Sequence, residues 1–179
     1  LKQLVQLKKY EPSIVKTAMN DSHLFEKAVQ FINQIGIATA FRKIEHKHCF
    51  LPGLLIEKGT IVIDTSQLLY PGDILHEAAH LAVVPAEERK TLDGTSIGTR
   101  TNAGAEEMMA IARCYAACIH LQIDPLFVFH EQGYNGGGGW IAENFNKGNY
   151  FGVPVLQWLG MTAAMPGNDN RPVYPAMLK

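Results

Sequence analysis

The 179-residue chain has no excess charge, no long hydrophobic run and few cysteines, and each of these absences excludes a class of protein. Its 16 basic and 17 acidic residues leave a formal net charge of −1. Without a local basic patch, neither nucleic acid nor an anionic membrane is an expected partner. Since no apolar stretch approaches the roughly 20 residues that cross a bilayer, no membrane span is expected either.

The three cysteines are an odd number at low density, which argues against a disulfide framework. Cys114 and Cys118 lie four residues apart in a helical pattern, so buried free thiols are expected at both positions. A reducing cytoplasm is therefore the predicted location of the protein.

The hydrophobic content of the chain, 47% of its residues, is typical of a globular protein and indicates one α+β domain over residues 1–179. A proline-rich tail is predicted from about Pro166 onward. The first part of the chain is predicted to form two helices, a short one at 13–19 and an amphipathic one at 22–35 that begins at Ser22.

A small mixed sheet and three further helices are predicted to follow. The strands are expected at 37–44, 54–57 and 60–64. Lys58-Gly59 provides the turn between the last two strands. The helices are expected at about 74–84, 103–122 and 153–161. Asp73 is expected to cap the first of these helices, and Thr101 or Asn102 to open the second.

Two segments between these elements are predicted to be loops. Residues 86–101 are polar and rich in turn-forming residues. Four consecutive glycines at 136–139 predict a mobile loop, because glycine loses more conformational entropy than any other residue when it is ordered. This loop is either a flap near a cleft, anchored by Trp140, or a plain surface loop.

Residues 76–80, His-Glu-Ala-Ala-His, form the motif that carries chemistry. On a helix, residues i and i+4 lie about 40° apart, so His76 and His80 project from one face and can share a metal ion. Glu77 lies about 100° round from His76, where its carboxylate can reach a water on the metal without being a ligand. Zinc hydrolases divide the work in this way between nitrogen ligands and a carboxylate base.

A zinc site with two histidines needs a third protein ligand and one open position. Glu106 and Glu107 open the next predicted helix, 26 and 27 residues after His80. Glu106 shares its predicted face with Arg113 and His120, which indicates a polar surface. Glu107 shares its predicted face with residues that must pack inward, namely Ile111, Cys114, Cys118 and Leu121. Since a buried carboxylate needs a cation, Glu107 is the predicted ligand.

The motif and the downstream glutamate resemble the HExxH zincins of the gluzincin type. The metzincin branch would require Gly at position 83 and His at 86, where this chain has Val83 and Ala86. The resemblance is strongest over residues 54–121 and is closest to the compact bacterial ImmA/IrrE-type zinc peptidases. It implies a zincin-like domain that hydrolyses a peptide bond in a peptide or protein substrate. The residues implied are His76, His80 and Glu107 as Zn²⁺ ligands and Glu77 as general base.

The resemblance also implies that an extended substrate pairs with the strand at 60–64 as a sheet edge. Many gluzincins place an acidic or polar residue four positions after the ligand glutamate, and here that residue is Ile111. A zinc-bound histidine is therefore expected to be oriented by Asp73, by Asp93 or by a backbone carbonyl. Asp93 is also an alternative third ligand.

A zincin peptidase further needs a group that stabilises the oxyanion of the tetrahedral intermediate. The candidates for that role are His130, Tyr134 and Arg100. Two alternative functions stay open at this point. One is a zinc-binding regulatory or interaction domain with the same fold and little or no turnover, and the other is hydrolysis of a non-peptide amide.

Overall fold

The computed structural model describes residues 12–45 and 51–162. Within these ranges the elements are α1 (Pro12–Gln34), β1 (Thr39–Phe41), β2 (Leu54–Glu57), β3 (Thr60–Ile63), α2 (Asp73–Ala82), α3 (Ala86–Arg89), α4 (Gly94–Ile97), α5 (Ala103–Leu121), α6 (Gly138–Asn146) and α7 (Val153–Trp158). Short 3-10 turns lie at Pro125–Phe127 and Tyr134–Gly136.

The predicted α+β class is confirmed, and the proline-rich tail lies outside the described residues. None of the described helices is both long enough and apolar enough to cross a membrane.

The sheet has three strands, and β3 is its central strand. β3 pairs in parallel with β1 and antiparallel with β2. The predicted turn at Lys58-Gly59 joins β2 to β3, and both of its residues adopt a positive φ (49° and 71°). The prediction that residues 60–64 form the sheet edge is wrong, because both sides of β3 are paired. Among the described strands, β1 and β2 are the ones with an unpaired side.

The core lies where α2 and α5 pack against each other and α2 packs against the sheet. Ile74 and Leu81 of α2 are fully buried, as is Ile61 of β3. Burying an aliphatic side chain of this size stabilises the fold by about 1.5–3 kcal/mol. Cys114 and Cys118 on α5 are buried free thiols, as the sequence predicted.

The first helix and the first strand differ in extent from the predictions. The helices expected at 13–19 and 22–35 are one continuous helix, α1, so Ser22 lies inside it and caps nothing. No glycine or proline follows Pro12 within α1, and propagation of an existing helix adds one hydrogen bond per residue. The strand expected at 37–44 is confined to β1, because β3 offers it only Ile61–Ile63 as partners.

The glycine run at 136–139 does not form an irregular loop, so that prediction is wrong. Gly138 and Gly139 begin α6, and Gly136 ends a 3-10 turn with a φ of 81°. Gly138 lies so close to the Phe129 carbonyl that a Cβ at this position would be 2.4 Å from the carbonyl oxygen. The run therefore allows one helix to begin against a neighbouring backbone, which a pattern of glycines alone does not reveal.

Two alanine substitutions in this run are expected to change stability in opposite directions. Gly138→Ala should lower the free energy of unfolding by about 1–3 kcal/mol, because its methyl group overlaps the Phe129 backbone. Gly139→Ala should raise it by about 0.4–1 kcal/mol, because a Cβ there meets no atom within 4 Å and a helical glycine is replaced. Urea unfolding of both variants checks this, and shifts of the same sign would contradict the close approach at Gly138.

Candidate metal centre

His76 and His80 lie one turn apart on α2 and direct their Nε2 atoms toward the same point. These two atoms are 3.0 Å apart, and the two rings meet edge to face with centroids 4.5 Å apart. Ala78 and Ala79, which lie between them in the sequence, are buried. The arrangement agrees with the spacing of the motif, since i and i+4 side chains share a helix face.

Glu107 on α5 brings its carboxylate to the same point. Its Oε2 lies 3.2 Å from the Nε2 of His80, and its Oε1 lies 3.8 Å from the Nε2 of His76. Within residues 12–45 and 51–162, these three side chains form the one group of histidines, cysteines and carboxylates close enough to share a metal ion. The packing of α2 against α5 therefore assembles the three residues that the sequence predicted as ligands.

The donor set fits zinc in chemistry and in spacing. Two nitrogens at about 2.0–2.1 Å from a tetrahedral zinc ion lie about 3.3–3.4 Å apart. The two imidazole nitrogens are 3.0 Å apart, close to that value, and the two Glu107 oxygens lie 3.2 Å from His80 and 3.8 Å from His76. Two imidazoles and one carboxylate leave a fourth position open, and magnesium and calcium prefer shells made of oxygen.

The surroundings hold His76 neutral and Glu107 ionised, the forms in which they bind metals. Burial lowers the pKa of His76 to about 4, and the neighbouring His80 adds to this effect. Burial alone would raise the pKa of Glu107, but its contacts with His80 and His76 outweigh burial and lower the pKa. For His80, the hydrogen bond with Glu107 and the charge of Glu77 outweigh burial, so its pKa is raised.

Glu77 lines the same cleft as the histidines but does not belong to the ligand group. Burial raises the pKa of Glu77 to about 7, with the negative charges of Asp73 and Glu107 adding to the shift and His80 opposing it. A carboxylate with a pKa near the working pH is suited to general base catalysis. A cation held by the three neighbouring residues would lower this pKa and favour the ionised carboxylate.

Glu106, the neighbour of Glu107, is the more buried of the two glutamates, contrary to prediction. Its side chain is 10% exposed and that of Glu107 is 41% exposed. Arg100 neutralises Glu106 through a contact of 2.7 Å and also contacts Glu88 at 2.8 Å. Because Arg113 is buried as well, the predicted polar face of α5 is wrong. Glu107 lies beside the two histidines, as predicted. It is nevertheless the less buried of the two glutamates, whereas the prediction relied on its being buried.

The two aspartates expected to support the metal site have other contacts. Asp93 is the N-cap of α4, which lies in the segment predicted to be a loop. Its carboxylate accepts hydrogen bonds from the backbone N–H groups of Thr95 and Ser96. Neither a ligand role nor an orienting role for Asp93 is therefore supported by the geometry.

Asp73 does not cap α2, because Gly72 is the N-cap and no side chain bonds there. Instead, one Asp73 oxygen lies 3.0 Å from the Nε2 of His130, at a sequence separation of 57 residues. The ring of Tyr70 stacks on His130 with centroids 3.9 Å apart. Burial raises the pKa of Asp73, although the contact with His130 opposes this shift.

The three candidates for oxyanion stabilisation lie in different surroundings. His130 and Tyr134 line the cleft, whereas Arg100 does not. The Nε2 of His130 contacts Asp73, and the Tyr134 hydroxyl lies 3.1 Å from the Nδ1 of His76. This contact makes Tyr134 the neighbour of a predicted ligand, a position that no spacing rule could have found across 58 residues.

The cleft that holds this group has a volume of about 1930 Å³. Small-molecule pockets usually enclose about 300–1,000 Å³, so there is room for a larger ligand. Residues 54–57 of β2, which has an unpaired side, line the cleft together with His130 and residues 132–135. His76, Glu77 and His80 of α2 line the same cleft.

No family model, no curated protein and no solved structure matches this chain. Any functional assignment therefore depends on the histidine–glutamate group, on Glu77 and on the shape of the cleft.

Proposed function

We propose that the protein is a zinc-dependent peptidase of the gluzincin type, with a zincin-like fold. The observation that carries the proposal is the convergence of two imidazole nitrogens and one carboxylate, all within 3.8 Å, beside a further carboxylate in a cleft. His76, His80 and Glu107 would hold the ion. The two buried free thiols support a cytoplasmic location, which is part of the proposal.

When bound, zinc would act as a Lewis acid that lowers the pKa of a water molecule to about 7 and polarises a carbonyl oxygen. Glu77 accepts a proton from the attacking water on its carboxylate and delivers that proton to the departing amine. Its position one residue after His76 places it at the same wall of the cleft without making it a ligand. His76 enters the reaction neutral, because burial keeps its pKa low.

We place the substrate along β2 rather than β3. Both sides of β3 are paired, whereas β2 has an unpaired side and its residues Leu54–Glu57 line the cleft. An extended peptide can add to such an edge through backbone hydrogen bonds, with alternate side chains entering the cleft. The expected substrate is therefore a peptide or an extended protein segment, and the size of the cleft supports this choice over a small amide.

A second candidate is a zinc-binding regulatory or interaction domain with little turnover. One observation favours it: His130, one of the two cleft-lining candidates for oxyanion stabilisation, already has a polar contact with Asp73. A donor already engaged in this way contributes less to a developing negative charge than a free one aimed at it.

Metal analysis is the first test of the proposal. Protein purified without chelators should contain about one zinc per chain, because two imidazoles and a carboxylate match zinc better than hard cations. Cleavage of a peptide library should stop when the metal is removed and should return when zinc is added. Less than about a tenth of an equivalent of zinc, with no uptake on titration, would contradict the site itself.

A further inference from the structure

The orientation of His76 depends on the contact made by its second ring nitrogen. Its Nε2 faces His80 and Glu107, and its Nδ1 faces the Tyr134 hydroxyl at 3.1 Å. The Sγ of Cys114 is a more distant neighbour of Nδ1, at 3.8 Å. A metal ion on Nε2 would require that nitrogen to be unprotonated, which would leave the ring proton on Nδ1, where the Tyr134 oxygen is placed to accept it.

The backbone around Tyr134 is held in an uncommon conformation. Tyr134 and Asn135 both adopt a φ of 54°, which bulky residues rarely do. Hydrogen bonds from the Gly136 N–H to the Gly133 carbonyl and from the Gly137 N–H to the Tyr134 carbonyl close the turn. Conformations of this kind persist where the surrounding structure enforces them, and they are concentrated at functional sites.

The ring of Tyr134 is packed so that its hydroxyl has a defined direction. Its face is tilted against Phe129, with centroids 5.3 Å apart, and it meets His76 edge to face at 5.4 Å. Burial raises the pKa of Tyr134, so the group is a neutral phenol and not a phenolate. The strained turn and the aromatic packing therefore both direct one neutral hydroxyl at one ring nitrogen.

The other polar groups do not support the two histidines in this way. Asp73 contacts His130, Asp93 caps α4, and the residue four positions after Glu107 is the apolar Ile111. The Nδ1 of His80 is buried and has no hydrogen-bond partner within the part of the chain that the structure describes. The Tyr134 hydroxyl is thus the oxygen that contacts the Nδ1 of a predicted ligand.

We propose that Tyr134 is the positioning residue for His76, and that it couples metal binding to the order of the turn at 133–137. Tyr134 fixes the ring proton on Nδ1 and leaves Nε2 free for the ion. In return, a bound ion holds His76, and through it the turn that carries Tyr134. The inference rests on the proposed metal site, but it does not require that the protein cleave peptides.

Zinc affinity of Tyr134→Phe is the first test. This variant keeps the ring and its packing and removes only the hydroxyl, so the dissociation constant, measured by competition with a chromophoric chelator, should rise about 10–100-fold. Tyr115→Phe is the matched control, because its hydroxyl contacts Asn146 at 3.0 Å and Tyr115 does not line the cleft. Cobalt-loaded Tyr134→Phe should also show an altered d–d absorption spectrum, and cobalt-loaded Tyr115→Phe should not. Equal zinc affinity in wild type and Tyr134→Phe would overturn the proposal.

Hydrogen exchange provides a measurement on the unmodified protein. Zinc should slow exchange of the Gly136 and Gly137 amides, which close the turn, and it should slow them less in Tyr134→Phe. Unchanged exchange in the wild type on zinc binding would overturn the coupling. Wild-type protein that takes up no metal would overturn this inference together with the proposed function. Weakened zinc binding by Tyr134→Phe in a protein that cleaves no peptide would support the inference and contradict only the peptidase.

Discussion

Glu77→Gln should retain zinc and the fold while losing about 10²–10⁴-fold in turnover, the usual contribution of a positioned general base. The amide keeps the size of the carboxylate and part of its hydrogen bonding, but it cannot accept the proton from water. Glu77 lines the cleft outside the ligand group, so metal content should not change. The measurement is the turnover number on a cleaved peptide, with zinc content determined on the same preparation.

Glu26→Gln is the matched control for this experiment, because Glu26 is exposed on α1 and does not line the cleft. It should retain the wild-type turnover. Activity of Glu77→Gln within a few-fold of wild type would remove Glu77 from catalysis. Loss of zinc together with activity would assign Glu77 to the ligand set and would contradict its role as a base.

The parts of the molecule that could be predicted from the sequence depend on contacts between near neighbours. The spacing of His76 and His80 is enough to place both rings on one helix face, because helix geometry is local. The hairpin of β2 and β3 follows from two short apolar runs on either side of Lys58-Gly59, which is again a local signal. In both cases the side chains that decide the structure lie within a few positions of one another.

The parts that could not be predicted depend on contacts between distant residues. The central position of β3 follows from its pairing with β1, some 20 residues earlier in the chain, and no strand pattern encodes that choice. The start of α6 in a glycine run depends on the Phe129 carbonyl. Local sequence patterns predict that Asp73 is a helix cap, and they contain no sign of its contact with His130.

Tyr134, at the candidate site, is a further residue whose role depends on a contact between distant parts of the chain. Its residue type makes it a candidate for oxyanion stabilisation, and its contact with the Nδ1 of His76 supports the proposed role in orienting a predicted ligand. The absence of an acidic residue at Ile111 predicted that this support must come from elsewhere in the chain. The sequence thus indicates that a substitute is needed, and the proposal of Tyr134 as that substitute depends on its contact with His76 across 58 residues.

Substitutions of the two adjacent glutamates of α5 should separate an effect on metal binding from an effect on stability. Glu107→Ala removes a carboxylate that contacts both histidines, at 3.2 and 3.8 Å. Removing a residue that only orients a ligand typically weakens metal affinity by about 10–100-fold. Removing a direct ligand should therefore weaken zinc binding by more than about 100-fold. Because the Glu107 side chain is 41% exposed, the fold should tolerate its removal.

Glu106→Ala should have the opposite effects, a loss of stability with little change in zinc affinity. Its carboxylate is buried against Arg100, so its loss should lower the free energy of unfolding by about 1.5–3 kcal/mol, the range for a hydrogen bond to a charged group. Zinc affinity should stay close to that of the wild type, since Glu106 does not belong to the ligand group. Chelator competition and urea unfolding of both variants make the comparison. Should Glu106→Ala prove to be the variant that loses zinc, the ligand would have to be reassigned, because successive residues of a helix point about 100° apart and cannot occupy the same position in a coordination shell.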